Sequence, residues 1–123
     1  MSFDVDNARR NMITQQVRAW GVLDDQVLEL LEKIPREEFV PQKYRELAFA
    51  DMPTPIGAQQ SMLPPKEEGK ILQALEIEPS DDVLEIGTGS GYFTAFLASQ
   101  AKHVTTVDIF ENYVLNRKFQ TAC

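Results

Sequence analysis

The chain has 123 residues, 12 Lys and Arg against 19 Asp and Glu, and a net charge of -7, which leaves room for one globular core and no basic stripe for nucleic acid. A single His103 and a single Cys123 exclude an intrachain disulfide and a multi-His or Cys-rich zinc site. No stretch reaches the apolar length of a membrane span, and the opening MSFDVDNARR lacks a signal peptide's apolar core, so a cytoplasmic protein with no membrane partner is expected.

Ala8, Met12, Ile13, Val17 and Trp20 recur at helical spacing over residues 6–20, which places Trp20 in the core and Gly21 just past the helix end. Asp24 suits the cap of a second helix with the stripe Val27, Leu28, Leu31 and Ile34, stopped by Pro35. Arg36, Glu37 and Glu38 read as a solvated turn. Phe39, Val40 and Pro41 then form an extended connector, and a short helical stretch follows at 44–48. Residues 51–65, DMPTPIGAQQSMLPP, hold four of the seven prolines and predict a loop of restricted backbone freedom rather than a regular element. Loops of that kind connect domains or line sites. Pro64 and Pro65 suit the first turn of the next helix, Glu67 and Glu68 its positive end, and Ile71, Leu72 and Leu75 its buried face. Lys66 and Lys70 read as its solvated surface, with contact to an acidic acceptor as the alternative.

From residue 82 the pattern changes. Val83, Leu84 and Ile86 form a short apolar run, three glycines follow, and an apolar helical pattern begins at Phe93. A β-branched run, residues 103–107, then closes on Asp108. Strand, glycine turn, helix, strand and acid make one βαβ unit. His103 reads as an edge residue without a partner acid. A further helix is expected over 113–119, and the terminal Cys123 is either incidental or open to an intermolecular disulfide on oxidation.

The strongest local signal is Glu85-Ile86-Gly87-Thr88-Gly89-Ser90-Gly91. Glycines at alternate positions let the chain turn sharply after a strand and let a ligand approach the main chain. Asp108 lies 19 residues beyond Gly89, at the tip of the next strand, where a carboxylate can take both hydroxyls of a ribose. The dinucleotide fingerprint G-x-G-x-x-G would need glycine at position 92, which is Tyr92. Glu85 also sits badly beside a pyrophosphate and well beside the ammonium of a methionine. The loop therefore reads as a site for S-adenosylmethionine rather than NAD. The competing readings are a tight turn without ligand and, for Asp108, a cap on the following helix. Tyr92 packs either on the cofactor or on the helix start.

Four stretches, NMITQQVRAWGVLD, IPREEFVPQKYRELAFAD, PIGAQQSMLPP and VLEIGTGSGYFTAFLA, resemble the protein-L-isoaspartate O-methyltransferase family, in family order and across nearly the whole chain. The resemblance implies an α/β, Rossmann-like class I S-adenosylmethionine-dependent methyltransferase fold. It also implies an N-terminal helical addition over 1–50, a proline-rich acceptor and cofactor loop over 51–65, and the first part of the methyltransferase domain over 66–123. It implies esterification of isoaspartyl carboxylates in damaged proteins or peptides, with Glu85, Gly87, Gly89, Gly91 and Asp108 holding the cofactor.

Two departures stand out. The family's loop typically reads I-G-x-G-Q-T-I-S-x-P, and Ile56-Gly57 and Pro65 fix the register. The active-site serine of the family then falls on Leu63 and its second glycine on Gln59, while Ser61 takes the threonine position and keeps a hydroxyl in the loop. This leaves room for a different acceptor. The family also continues through further strands and helices, so only the first βαβ unit is expected here. Its first strand has one unpaired apolar edge, an opening for self-association. Cofactor binding with little or no turnover, or a non-catalytic binding module, are the two expectations that follow.

Overall fold

Residues 4–109 are described by a computed structural model; the helix expected over 113–119 and Cys123 lie outside the described residues. The Asp4 carboxylate accepts from the Asn7 amide and starts helix α1 (Val5–Asn11). The helix continues as a π turn over Met12–Val17 and a 3-10 turn over Arg18–Trp20. The wide π turn stacks residues five apart, so Met12 and Val17 are both buried. Gly21, at φ +101°, ends the run in the left-handed region, as expected.

Trp20 departs from expectation: it is 55% exposed. Helix α3 (Pro65–Leu75) approaches so closely at Gly69 that a Cβ there would lie 2.9 Å from a Val17 methyl and 3.2 Å from Val22. That gap admits valine methyl groups and no indole. The Trp20 ring instead carries the Lys66 and Lys70 ammonium groups at 4.1 and 5.3 Å, and Lys66 also pairs with Asp51.

Helix α2 (Asp25–Lys33) is capped by Asp24, and Val27, Leu31 and Ile34 enter the core. The Arg36-Glu37-Glu38 run is solvated only at Glu38. Residues Arg36–Phe39 form a 3-10 turn that aims Arg36 inward, where it is 0% exposed, and Glu37 accepts from Arg9 at 2.6 Å. Phe39 thus belongs to this turn rather than to the extended connector, which is confined to Val40 and Pro41; a further 3-10 turn spans Gln42–Leu47.

The proline-rich segment also departs from expectation. Thr54–Gly57 (β1) and Gln60–Met62 (β2) pair as an antiparallel hairpin, with Ala58 and Gln59 as a two-residue turn at φ +51° and +59°. Positive φ at both central positions is the type I′ geometry that matches strand twist. Composition hid it because Pro53 lies just before the strand and Pro55 sits within a two-stranded, edge-only ladder, where proline is tolerated.

Pro65 opens α3 as expected. Its buried stripe is Pro65, Glu68, Gly69 and Leu72, while Ile71 and Leu75 are exposed. That spacing is the i, i+3, i+4, i+7 face of a helix, carried in part by a carboxylate and a glycine. The Gln73 side chain accepts from the Leu23 and Asp24 amides at 2.7 and 2.9 Å, which fixes α3 against the turn before α2.

The βαβ unit forms as read. Strand β3 (Asp82–Ile86) pairs in parallel with β4 (His103–Val107), joined by helix α4 (Tyr92–Gln100). Val83, Glu85, Val104 and Thr106 point toward the core side, where Val104 is buried. The opposite face carries exposed Leu84, Ile86 and Val107, with Ile86 at 82%. His103, expected without a partner acid, lies 3.2 Å from Asp82, its register partner across the ladder.

Candidate functional site

The turn after β3 is built from main-chain bonds. The Gly87 amide donates to the Val107 carbonyl at 2.7 Å, extending the ladder one step past the strands. The Gly89 amide then donates to Asp108 Oδ2 at 2.9 Å, so the loop is tied to the acid at the end of β4. Gly87 and Gly89 have φ of +102° and +55°, angles that side chains with a Cβ rarely adopt. A Cβ on Gly87 would meet nothing within 4 Å, so the backbone angle demands glycine there, not crowding. At Gly89 a Cβ would lie 3.5 Å from Ile56 Cδ1, which brings the hairpin against the loop. Gly91 is buried and forms the N-cap of α4.

Between hairpin and loop lies a cleft of about 530 Å³, lined by Ile56, Gln60 and Ser61 on one side and Gly87, Gly89 and Asp108 on the other. A second cleft of about 320 Å³ shares Gly87, Gly89 and Ser61 and adds Leu63, Glu85 and Phe93. Ser61 and Leu63 thus face the same opening as the glycine loop, and Leu63 is 44% exposed. Of the residues singled out from sequence, Ser61, Leu63, Glu85, Gly87, Gly89 and Asp108 line these two clefts, whereas Gly91 supports the loop from the helix start.

Glu85 is held by hydroxyls that sequence reading missed. Its Oε1 accepts from Thr94 on α4 and from Thr106 on β4, the latter at 2.7 Å. Thr106 spends its proton on Glu85, so Thr88 donates to Thr106 across 2.6 Å. This Thr88–Thr106–Glu85 chain polarises in one direction and fixes the carboxylate rotamer. Burial pushes the Glu85 carboxyl above the usual carboxylate range; the Thr94 and Thr106 hydroxyls oppose that, and the nearby Asp108 charge adds to it. The available signal was strand alternation: Glu85 and Thr106 are register partners on the inner face of the ladder.

Tyr92 belongs to the core and not to either cleft. It is buried between Phe39 and Phe96, with ring centroids 5.6 and 5.0 Å away, and the Arg36 guanidinium lies 4.8 Å from its ring. Burial pushes its hydroxyl well above the ordinary phenol range.

The fold is similar to that of known proteins. A solved Plasmodium falciparum protein-L-isoaspartate O-methyltransferase, in complex with S-adenosyl-L-homocysteine, superposes with a TM-score of 0.66 at 18% identity, over 94% of this chain and 55% of that one. That likeness shows the fold: the first βαβ unit of a Rossmann-like methyltransferase with its N-terminal helical addition. A Rhodopseudomonas palustris protein-L-isoaspartate O-methyltransferase is 47% identical over 97 residues, 79% of this chain and 44% of that protein. The Aliivibrio fischeri protein-L-isoaspartate O-methyltransferase is 35% identical over 112 residues, 91% of this chain and 54% of its own length. The chain spans about half the length of the curated relatives it matches. The profile of the family described as protein-L-isoaspartate(D-aspartate) O-methyltransferase matches residues 7–117, from the first helix to beyond the glycine loop and its acid, and the chain belongs to that family.

Proposed function

We propose that this chain carries the cofactor site and the acceptor loop of a cytoplasmic S-adenosylmethionine-dependent carboxyl methyltransferase acting on L-isoaspartyl residues of proteins or peptides. In this reading residues 1–50 are the helical addition, 51–65 the acceptor and cofactor segment, and 66–123 the first part of the Rossmann-like domain. The observation that carries it is the Gly89 amide bonded to Asp108 at the rim of a cleft whose other wall is the hairpin. A volume of about 530 Å³ suits a nucleoside-sized ligand, since such sites commonly run from roughly 300 to 1,000 Å³. Gly87 and Gly89 would border the cofactor with bare main chain, supported by Gly91, and Asp108 would take the ribose hydroxyls. Glu85, held by its threonines, would face the methionine ammonium. The bound cofactor supplies an electrophilic methyl group. The chain's own part is to position an acceptor carboxylate and exclude water. Ser61 is the hydroxyl that the hairpin offers to both clefts, and Leu63 presents an apolar surface where the family has serine.

Titration with S-adenosylhomocysteine, read by calorimetry and by thermal melting, tests this. Ligand at about 100 times its dissociation constant should add ~2.7 kcal/mol of stability. Asp108→Ala and Gly89→Val should each weaken binding at least about tenfold, the scale of a lost charged hydrogen bond or a filled site. Wild-type affinity in both variants would sink the assignment.

A second reading is favoured by the uncovered sheet face, where Leu84 and Ile86 are 63% and 82% exposed side by side with Val107. In it the chain is a non-catalytic module that associates with a second copy through β3. Sedimentation velocity of the wild type and of Leu84→Lys, a position outside both clefts, tests it: a concentration-dependent oligomer abolished by the lysine supports association, and a monomer at all concentrations rejects it.

A further inference from the structure

Arg36 is fully buried and lines neither cleft, yet four segments converge on it. Its Nε donates to the Ala48 carbonyl at 2.6 Å, just past the 3-10 turn over Gln42–Leu47. One terminal nitrogen donates to the Leu63 carbonyl at 2.9 Å, and the other pairs with the Glu68 carboxylate on α3. The face of the guanidinium lies 4.8 Å from the centre of the Tyr92 ring, at the start of the helix that follows the glycine loop. A rigid planar fork can meet three acceptors in three directions at once, which a lysine ammonium on a flexible stem cannot.

The contact with Leu63 bears on function. Leu63 stands one residue beyond β2, where the hairpin ladder no longer fixes the main chain, and its side chain lines the smaller cleft. We propose that Arg36 is the positioning residue of the hairpin: through the Leu63 carbonyl it holds the wall formed by Ile56, Ser61 and Leu63 at its working distance from the glycine loop. The functional meaning of that wall rests on the cofactor and acceptor reading above. A buried ion pair returns little net stability, because removing two charges from water costs about as much as their attraction restores. Burial raises the Glu68 carboxyl above its usual range and the Arg36 guanidinium is the group that opposes it, so the pair is an expensive fixture for stability alone. Its return is geometric. Three segments distant in sequence are set in one arrangement around a single planar group.

The decisive comparison is the full chain as wild type, as Arg36→Met/Glu68→Leu, and as Arg36→Lys. Each is titrated with S-adenosylhomocysteine and followed by amide hydrogen exchange. The double variant removes both buried charges together but also leaves the Ala48 and Leu63 carbonyls without their donor, so its melting temperature should fall by a few degrees while the chain still folds. Exchange of the Gln60–Met62 amides should rise roughly tenfold or more, the scale of one lost charge-assisted hydrogen bond, with β3 and β4 amides unchanged. Affinity for S-adenosylhomocysteine is compared on Arg36→Lys, which leaves the cleft-lining Glu68 in place, and should fall by a similar factor. Arg36→Lys keeps the charge opposite Glu68 without the fork, and should reproduce the hairpin effect; this arm decides the matter where the double variant does not fold. Unchanged hairpin exchange and unchanged affinity in either folded variant would overturn the proposal and leave Arg36 as a structural tie. A wild type that binds no S-adenosylhomocysteine refutes the function reading instead, and the exchange comparison still decides whether Arg36 sets the hairpin.

Discussion

The hairpin turn offers a sharp test of the local geometry. Ala58 and Gln59 hold φ of +51° and +59°, and both are exposed. An L-residue with a Cβ costs about 1–2 kcal/mol in this left-handed region, because the Cβ crowds the following carbonyl. Gln59→Gly removes that cost and returns ~0.5–1 kcal/mol of it through glycine's greater freedom in the unfolded chain. The net gain is about 0.5–1 kcal/mol. With an unfolding entropy near 2 cal/mol/K per residue, a chain of this size should melt roughly 2–4 °C higher. Gln59→Ala keeps the Cβ and should change the melting temperature by less than about 1 °C, since only an exposed side chain is trimmed. Differential scanning calorimetry of the three proteins reads the difference directly. A melting temperature for Gln59→Gly at or below that of the wild type would refute the type I′ turn. Gln59 is also the position where the family resemblance puts a glycine, so the turn geometry supplies a physical reason for glycine there.

Gly69→Ala sets helix propensity against packing. It gains up to ~1 kcal/mol of helix propensity, but the new methyl would lie 2.9 and 3.2 Å from the fully buried Val17 and Val22. β-Branched neighbours of a packed core cannot turn away, so overpacking of about 1–3 kcal/mol prevails, and urea melts should show a net loss near 1 kcal/mol. A stabilised variant would mean the helix–helix gap is wider. Glu85→Gln tests the buried carboxylate. Because its pKa is raised in the fold, Glu85 binds a proton more tightly folded than unfolded; its favourable contribution is complete below the unfolded value and is lost as pH rises through the folded one. Replacing it should therefore raise stability relative to the wild type at pH 8 and change it less near pH 4, while weakening S-adenosylhomocysteine binding. Parallel stability curves at the two pH values would remove the burial argument.

Sequence patterning made the elements legible wherever side-chain chemistry and local backbone preference agreed. Asp24 capped a helix, Gly21 ended one, Pro65 opened one, and the glycine-spaced turn between two β-branched runs gave the parallel pair with Asp108 at its tip. It failed where a polar group or a glycine took a place in the interior. Glu68 and Gly69 complete the buried stripe of α3, yet a hydrophobicity pattern assigns that face to Ile71 and Leu75. Arg36 looked solvated because its three acceptors lie at positions 48, 63 and 68, and no local window contains them. The hairpin was hidden for another reason: its two short strands carry no inside–outside alternation, and prolines with a turn lacking Asn or Gly give no local hairpin signal.

These misreadings meet in one place. The acids near the cleft divide by environment, not by residue type. Asp108 ends a strand and accepts an amide from the loop, Glu85 is fixed by two threonines, and Glu68 pairs with Arg36 at the wall of the smaller cleft. A net charge of -7 therefore does not translate into a uniformly repulsive cleft. Desolvation raises the proton affinity of Glu85 and Glu68, and hydroxyls in one case and a guanidinium in the other offset it. A cationic ligand carrying both an ammonium and a sulfonium would meet Glu85 within hydrogen-bond-ordered surroundings, whereas a second carboxylate brought by an acceptor would meet the apolar Leu63 side. On the proposed reading, that split would order the two substrates across the cleft: the cation toward β3 and the glycine loop, the carboxylate toward the hairpin.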